Sequence, residues 1–308
     1  MRRGLVLAFL MLTLTSPVAA ETLGVSVAKL DEFNATLLDG LLAHAKDNAG
    51  LKVVTRDAAG DNGLQKTHVE ELVAQKVDAI IVLLSDGDLG AQLTPIAASA
   101  KIPLVYVNNV PANVSDLPDN QVVVASDERE SGTLQAKEVC RLLNGKGRIA
   151  VLVGEPFHAA ARARTKDVDD VIATSECAGL VVVERQAAYW SPDFADAQVQ
   201  EWINAGVQFD AVVANNDDMA LGAIRALKRN PSKKGVVVAG IDATGPALDA
   251  MVAGDLPVTV FQNAAAQGAG AVDAAVKLVR GEQTAREIYI PFELVTPDNV
   301  ARYLPNSK

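Results

Sequence analysis

Short apolar runs recur along this chain, and most are followed by a longer segment whose apolar residues fall every three or four positions. The spacing predicts strands at residues 23–27, 52–55, 79–84, 104–107, 122–125, 149–153, 180–183, 211–214, 236–241 and 258–261. It predicts helices at 34–46, 63–75 and 89–100, with further helices filling most of the remaining gaps. The strands are unbroken runs rather than alternating ones. Strands buried on both faces read this way, in parallel sheets covered by helices on each side. That many strands are too many for one comfortable sheet in a chain this size, so the reading is α/β with two doubly wound, Rossmann-like domains. A break falls between Asn108 and Asp127, where Pro111, Pro118 and an Asn/Asp/Ser-rich segment interrupt the rhythm.

The junction at residues 212–228 carries the most chemistry. Val212, Val213 and Ala214 end a strand, and Met219, Ala220, Leu221, Ala223, Ile224 and Leu227 form a helix face. Between them stand Asn215, Asn216, Asp217 and Asp218. In open parallel sheets, ligands bind outside the carboxyl ends of the strands. Other strand ends carry similar side chains: Asp31, Glu32, Phe33 and Asn34; then Asn108 and Asn109; then Glu155, His158, Arg162 and Arg164. Tyr189 with Trp190, Asp242, and Gln262 with Asn263 complete the set. Amides, carboxylates and the guanidinium fork each meet two neighbouring hydroxyls. Phe33 and Trp190 add flat apolar faces. A sugar or cyclitol, with a hydroxyl rim and C–H faces, fits that combination. No glycine-rich phosphate loop is present, which disfavours a nucleotide.

Each residue also has a purely local reading. Asp217 fits the N-cap of the helix that follows it, leaving Asn216 for the cleft, and Asp242 fits a cap for a helix starting near Gly245. Asp31 and Asn108 are common turn formers. Arg162 and Arg164 fit a solvated helix face, and Trp190 fits a core. His44 and His68 fall in helical pattern and read as surface residues. His158 alone among the histidines stands at a strand end, where a general base is conceivable. No nucleophile, second histidine or metal-ligand cluster accompanies it.

Composition narrows the class. Met1-Arg2-Arg3, an apolar run over 5–14, and Val18-Ala19-Ala20 have the layout of a secretory signal peptide over residues 1–20, cut before Glu21. No later run is long and apolar enough to span a bilayer. The net charge is −10 with no Lys/Arg cluster, so neither nucleic acid nor an anionic membrane is an expected partner. Export permits a disulfide between Cys140 and Cys177, and a structural bridge is favoured over two buried thiols.

The segments VVANNDDMALGAIRALK, GIDATGPALDAM, VGEPFHAAARART and VVVASDERESGTLQA resemble the exported sugar-binding receptors of ABC importers, of the ribose and glucose/galactose type. The likeness runs over nearly the whole mature chain and is closest to the branch associated with myo-inositol and rhizopine uptake. It implies the type I periplasmic binding protein fold: two similar lobes joined by three crossings, closing by a hinge on a trapped ligand. The lobes would be residues 22–126 with 263–288, and 127–262 with 289–308. The resemblance assigns ligand binding to Asp31, Phe33, Asn108, His158, Arg164, Trp190, Asn216, Asp242 and Gln262.

Departures from the pattern also bear on the ligand. Ala160 stands where the glucose/galactose branch has a carboxylate, which argues against those sugars in the same pose. The order Asp31-Glu32-Phe33-Asn34 differs from that of the family's first loop, and Leu83 stands where relatives often carry Asn. The segment Leu143-Asn144-Gly145-Lys146-Gly147-Arg148 lacks the oxygen ligands of that branch's calcium loop, so no metal is expected. The expectation is a monomeric periplasmic receptor, without cofactor or turnover, that delivers a neutral polyol to a membrane permease. The favoured ligand is myo-inositol or a related cyclitol, and the alternative is an aldose or alditol such as glucose, galactose or ribose. A chemoreceptor is a further conceivable partner. An exported enzyme using His158 and Asp242 as acid and base is the competing class. The sensory domain of a repressor is a third, opposed by a signal peptide where a helix-turn-helix would stand.

Overall fold

The computed structural model describes residues 21–47 and 51–304, so the proposed signal peptide lies outside the described residues. The first half of the chain runs β1 (Thr22–Val27), α1 (Glu32–Asp47), β2 (Lys52–Asp57), α2 (Asn62–Ala74), β3 (Ala79–Leu83), α3 (Gly90–Ala100), β4 (Leu104–Val107) and β5 (Gln121–Ala125). Next come α4 (Glu128–Leu142), β6 (Lys146–Val153), α5 (Ala159–Ile172), β7 (Gly179–Ala187), α6 (Pro192–Asn204), β8 (Ala211–Ala214), α7 (Asp217–Lys228), β9 (Val237–Ala239) and α8 (Gly245–Val252). The chain then continues through β10 (Thr259–Gln262), α9 (Ala264–Val279), β11 (Glu287–Tyr289) and β12 (Phe292–Val295).

Two sheets result. The first is wholly parallel, in the order β2-β1-β3-β4-β5-β11. The second is parallel in the order β7-β6-β8-β9. Single parallel bridges, Ala239 to Val258 and Asp242 to Phe261, extend it toward β10, which pairs antiparallel with β12. Both sheets reverse their strand order beside their first strand, between β1 and β3 and between β6 and β8, and a crevice opens at such a switch point.

Helices cover both faces of each sheet, as the unbroken apolar strands require. Leu37 and Leu41 of α1 and Ala271 and Val272 of α9 close one face of the first sheet. Val69 and Leu72 of α2 and Leu93 of α3 close the other. In the second sheet α6, α7 and α8 bury Val199, Trp202, Met219 and Leu248 on one side, while α4 and α5 bury Val139 and Val168 on the other. Helix α9 reaches the first sheet only because α1 admits it closely. A Cβ on Gly40 would lie 2.5 Å from the Cα of Ala265, and one on Gly268 would lie 2.3 Å from the carbonyl oxygen of Leu37.

The chain passes between the sheets after Ala125, after Gln262, and between Tyr289 and Phe292. Tyr289, placed by the sequence reading in the second lobe's tail, pairs with Ala125 in the first sheet. Strands β11 and β12 were not expected from the apolar pattern. Cys140 and Cys177 are bridged, with Cα atoms 5.8 Å apart, at the end of the second sheet where β6 and β7 begin. His68, read as a surface residue, is buried on α2, with Nδ1 3.4 Å from Oγ of Ser26 in β1. Among the described residues no helix is long and apolar enough to cross a membrane.

Candidate functional site

The carboxyl ends of the two sheets face one cleft of about 480 Å³. All nine residues singled out from the sequence line it. Asp31 and Phe33 follow β1, and Asn108 follows β4. His158 and Arg164 follow β6, Trp190 follows β7, and Asn216 follows β8. Asp242 and Gln262 lie at the ends of β9 and β10.

Arg164 is the hub of the second sheet's side, and it is only 4% exposed. Its Nε and Nη2 donate to the Glu128 carboxylate at 2.9 and 3.1 Å, and its Nη1 donates to the Asn215 carbonyl at 2.8 Å. Nη2 also donates to Oε1 of Gln262 at 3.2 Å, and Asp242 lies 3.6 Å from Nη1. Burial works against the guanidinium charge, but Glu128 and Asp242 more than offset it and hold its pKa above the usual value. Burial pushes the Asp242 carboxyl well upward, against the pull of Arg164. The solvated-face reading therefore holds for exposed Arg162 and fails for Arg164.

These bonds set the polarity that the cleft offers. Gln262 is 3% exposed; its Oε1 is taken by Arg164, and its buried Nε2 has no hydrogen-bond partner. It is a donor awaiting an acceptor, and leaving such a group unpaired costs ~1–3 kcal/mol. His158 caps α5: its Nδ1 accepts the Ala160 N–H at 3.2 Å, so its proton resides on Nε2. Burial, aided by the charge of Arg164, lowers its pKa to about 4. At neutral pH it is therefore an uncharged donor whose only lone pair is already used, which is poor equipment for a general base. Asp31 accepts the Asn34 N–H at 2.9 Å, and burial raises its carboxyl.

The capping expectation at the opening of α7 is corrected. Asn216 is the N-cap, its Oδ1 accepting the Met219 N–H at 3.1 Å. Asp217 is wholly buried instead. It accepts from the Thr259 hydroxyl at 2.7 Å and the Thr244 N–H at 2.9 Å, locking α7 to β10 and to the start of α8. Burial raises its carboxyl to about 7. Asp242 does not cap α8 either: Thr244 holds that position without a side-chain bond.

The flat face of the site is strained. Tyr189 and Trp190 have φ of 54° and 60°, and Asn108 and Asp242 have φ of 67° and 122°. All four line the cleft, and left-handed backbone at such residues costs ~1–3 kcal/mol each. Trp190 meets His158 edge-on at 5.3 Å and rests directly on Gly154. It also packs against the core under α6 to α8, so the core reading was half right.

Glu128, Asn62 and Ser85 also line the cleft and were not singled out, while Tyr189 and Asp218, noted at strand ends but not assigned to the ligand, line it too. Asn62 and Ser85 follow β2 and β3 and hydrogen-bond each other, so their signal in the sequence is the same strand-end position that marks the other cleft residues. Asp218 is raised to about 6 by burial and by the charges of Asp31 and Glu32 on the opposite side. Lys29 and Glu155 pair at 3.8 Å, joining the loops after β1 and β6.

Residues 23–283 match the model of the periplasmic binding protein domain. A candidate rhizopine-binding protein of Rhizobium meliloti is 49% identical over 286 residues, covering 92% of this chain and 93% of the relative. A xylitol-binding protein of Mycolicibacterium smegmatis is 34% identical, covering 91% of this chain and 78% of the relative. The crystal structure of an ABC transporter solute-binding protein from Bacillus halodurans with bound myo-inositol superposes with a TM-score of 0.88 at 39% identity, covering 94% of this chain and 99% of that one. Cleft, topology and sequence agree: this chain belongs to the periplasmic binding protein family.

Proposed function

We propose that this chain is the extracytoplasmic receptor of an ABC importer and binds a neutral polyol, myo-inositol or a related cyclitol, in the cleft between its two sheets. The observation that carries the reading is the buried constellation Arg164–Asp242–Gln262 beside the Trp190 ring, with one orphaned amide donor and a neutral histidine N–H. Fixed donors and acceptors beside a flat face suit a ring with hydroxyls around its rim. The myo-inositol-bound structure and the rhizopine-binding relative support a cyclitol over an aldose or alditol.

The lobes would be residues 22–126 with 263–289, and 127–262 with 290–304, turning on the three passages. The receptor would be an exported monomer, freed of residues 1–20, and would present its closed form to a permease. The relatives are solute-binding proteins, and the engaged Nδ1 of His158 supports binding without turnover.

A thermal-shift screen of residues 21–308 against inositols, alditols and aldoses tests this, because a ligand held only by the folded state raises the melting temperature by mass action. The expected result is a large shift with myo-inositol and little with glucose or ribose, and the same compound recovered unchanged after long incubation. Shifts with aldoses alone would remove the cyclitol, and chemical conversion would remove the receptor.

A further inference from the structure

Gln267 on α9 is wholly buried and does not line the cleft. Both ends of its amide are engaged. Its Oε1 accepts from Nδ2 of Asn108 at 3.1 Å, and its Nε2 donates to Oγ of Ser126 at 2.8 Å. Three distant segments therefore meet at one side chain: the cleft loop after β4, the first passage between the sheets, and the helix that follows the second passage. Asn108 sits in left-handed backbone and needs such support. Its N–H donates to the Val124 carbonyl at 2.8 Å, and Gln267 fixes its side chain by the nitrogen. The Asn108 Oδ1 is thereby left as the acceptor for a ligand.

The second sheet's side repeats the plan. There Arg164 joins a cleft residue, Asp242, to Glu128 just past the first passage and to Gln262 at the second. Each side of the cleft thus has one buried polar side chain connecting a ligand-facing group to both of these passages.

The geometry points to Gln267 as a positioning residue, which sets the polarity of Asn108 toward a ligand hydroxyl and ties that loop to the segments on which the lobes turn. The inference rests on the polyol reading of the cleft. A residue that only fills space on α9 would affect folding but would not act through Asn108.

A double-mutant cycle separates the two, with myo-inositol as the probe and calorimetric titration as the readout. Gln267→Leu and Asn108→Ala should each weaken binding about 10-fold or more, since each strands or removes a buried polar partner. The double variant should be no weaker than Asn108→Ala alone. Gln267→Glu, whose oxygens can accept from both Asn108 Nδ2 and the Ser126 hydroxyl, should recover much of the loss. Losses that multiply in the double variant would overturn the proposal.

Hydrogen exchange on the ligand-free protein is the second arm. Gln267→Leu should speed exchange at the Asn108 and Asn109 amides and around Ser126, with the amides of α9 itself unchanged. The milder Ser126→Ala, which cuts one bond of the link, should do so to a smaller degree if the leucine variant does not fold. Unaltered protection at Asn108 would overturn the link whatever the ligand. Wild-type protein that ignores myo-inositol would instead refute the polyol reading, and the exchange result would still decide the role of Gln267.

Discussion

Replacing Gly154 with alanine should disable the cleft while leaving the fold in place. A Cβ at this position would stand 2.2 Å from Cζ2, 2.3 Å from Cη2 and 2.4 Å from Cε2 of Trp190, against the face of the six-membered ring. Ordinary contact begins near 3.4 Å, so the ring would have to retreat by about 1.2 Å. It has little room to do so, because its backbone is held in left-handed φ, part of the side chain packs on the core, and His158 stands edge-on beside it. Overpacking of this kind costs ~1–3 kcal/mol. At ~2–4 °C per kcal/mol for a chain of this size, the melting temperature should fall by roughly 2–12 °C. The ligand would also lose its flat face, and a further ~1–3 kcal/mol there is roughly a 5- to 150-fold weaker complex. Thermal unfolding and calorimetric titration with myo-inositol read the two effects separately. Gly245→Ala is the control, since a Cβ there meets no heavy atom within 4 Å. If Gly154→Ala matched Gly245→Ala in both assays, Trp190 would not be seated on Gly154 and the stacking argument would fail.

Three further outcomes follow from the same geometry. Burial raises Asp167 to about 6, where it accepts the Thr133 N–H at 3.1 Å; a carboxyl raised on folding lends stability that is full below its unfolded pKa near 3.8 and lost as pH rises through about 6. Asp167→Asn keeps an acceptor and removes the ionisation, so it should melt above wild type at pH 7.5 and level with it near pH 4, and a lower melting point at pH 7.5 would refute the assignment. Arg164→Met leaves Glu128 and Asp242 without their cation, which should cost ~3–5 kcal/mol at neutral pH, abolish measurable binding, and show a smaller melting deficit in acid as the Asp242 carboxyl, raised by burial, takes up a proton. Serine at both Cys140 and Cys177 opens a 37-residue loop and should cost ~4 kcal/mol in denaturant unfolding, yet leave affinity unchanged because the bridge lies at the opposite end of the sheet from the cleft.

Much of this architecture was legible in the chain. Strands 104–107 and 211–214 coincide with the apolar runs, because strands buried on both faces carry no polar residue to blur their ends. Nine cleft residues could be listed because the family resemblance assigned them, and each stands at the carboxyl end of a strand, where open parallel sheets place ligands. The short strands Glu287–Tyr289 and Phe292–Val295 escaped because each is half exposed and mixes glutamate with apolar residues. Asn216 and Asp217 satisfy the capping rule equally well. What separates them is Thr259, 42 residues away, and no local pattern reports that contact. Glu128 hides in an acidic stretch that reads as a solvated helix start, and only the fold brings Arg164 to it. The strain at Tyr189 and Trp190 is likewise tertiary, imposed where β7 hands its chain to α6 across Gly154.

The central claim is that this cleft holds a neutral cyclitol by the polar groups at the strand ends. Calorimetric titration of myo-inositol into residues 21–308, run in parallel with Asp242→Ala, tests it most directly. The account predicts one site per chain with a dissociation constant of about 1 μM or tighter, equivalent to about 8 kcal/mol, and loss of at least about 2 kcal/mol of that in the variant. Absence of binding by wild type, or equal binding by wild type and Asp242→Ala, would contradict it.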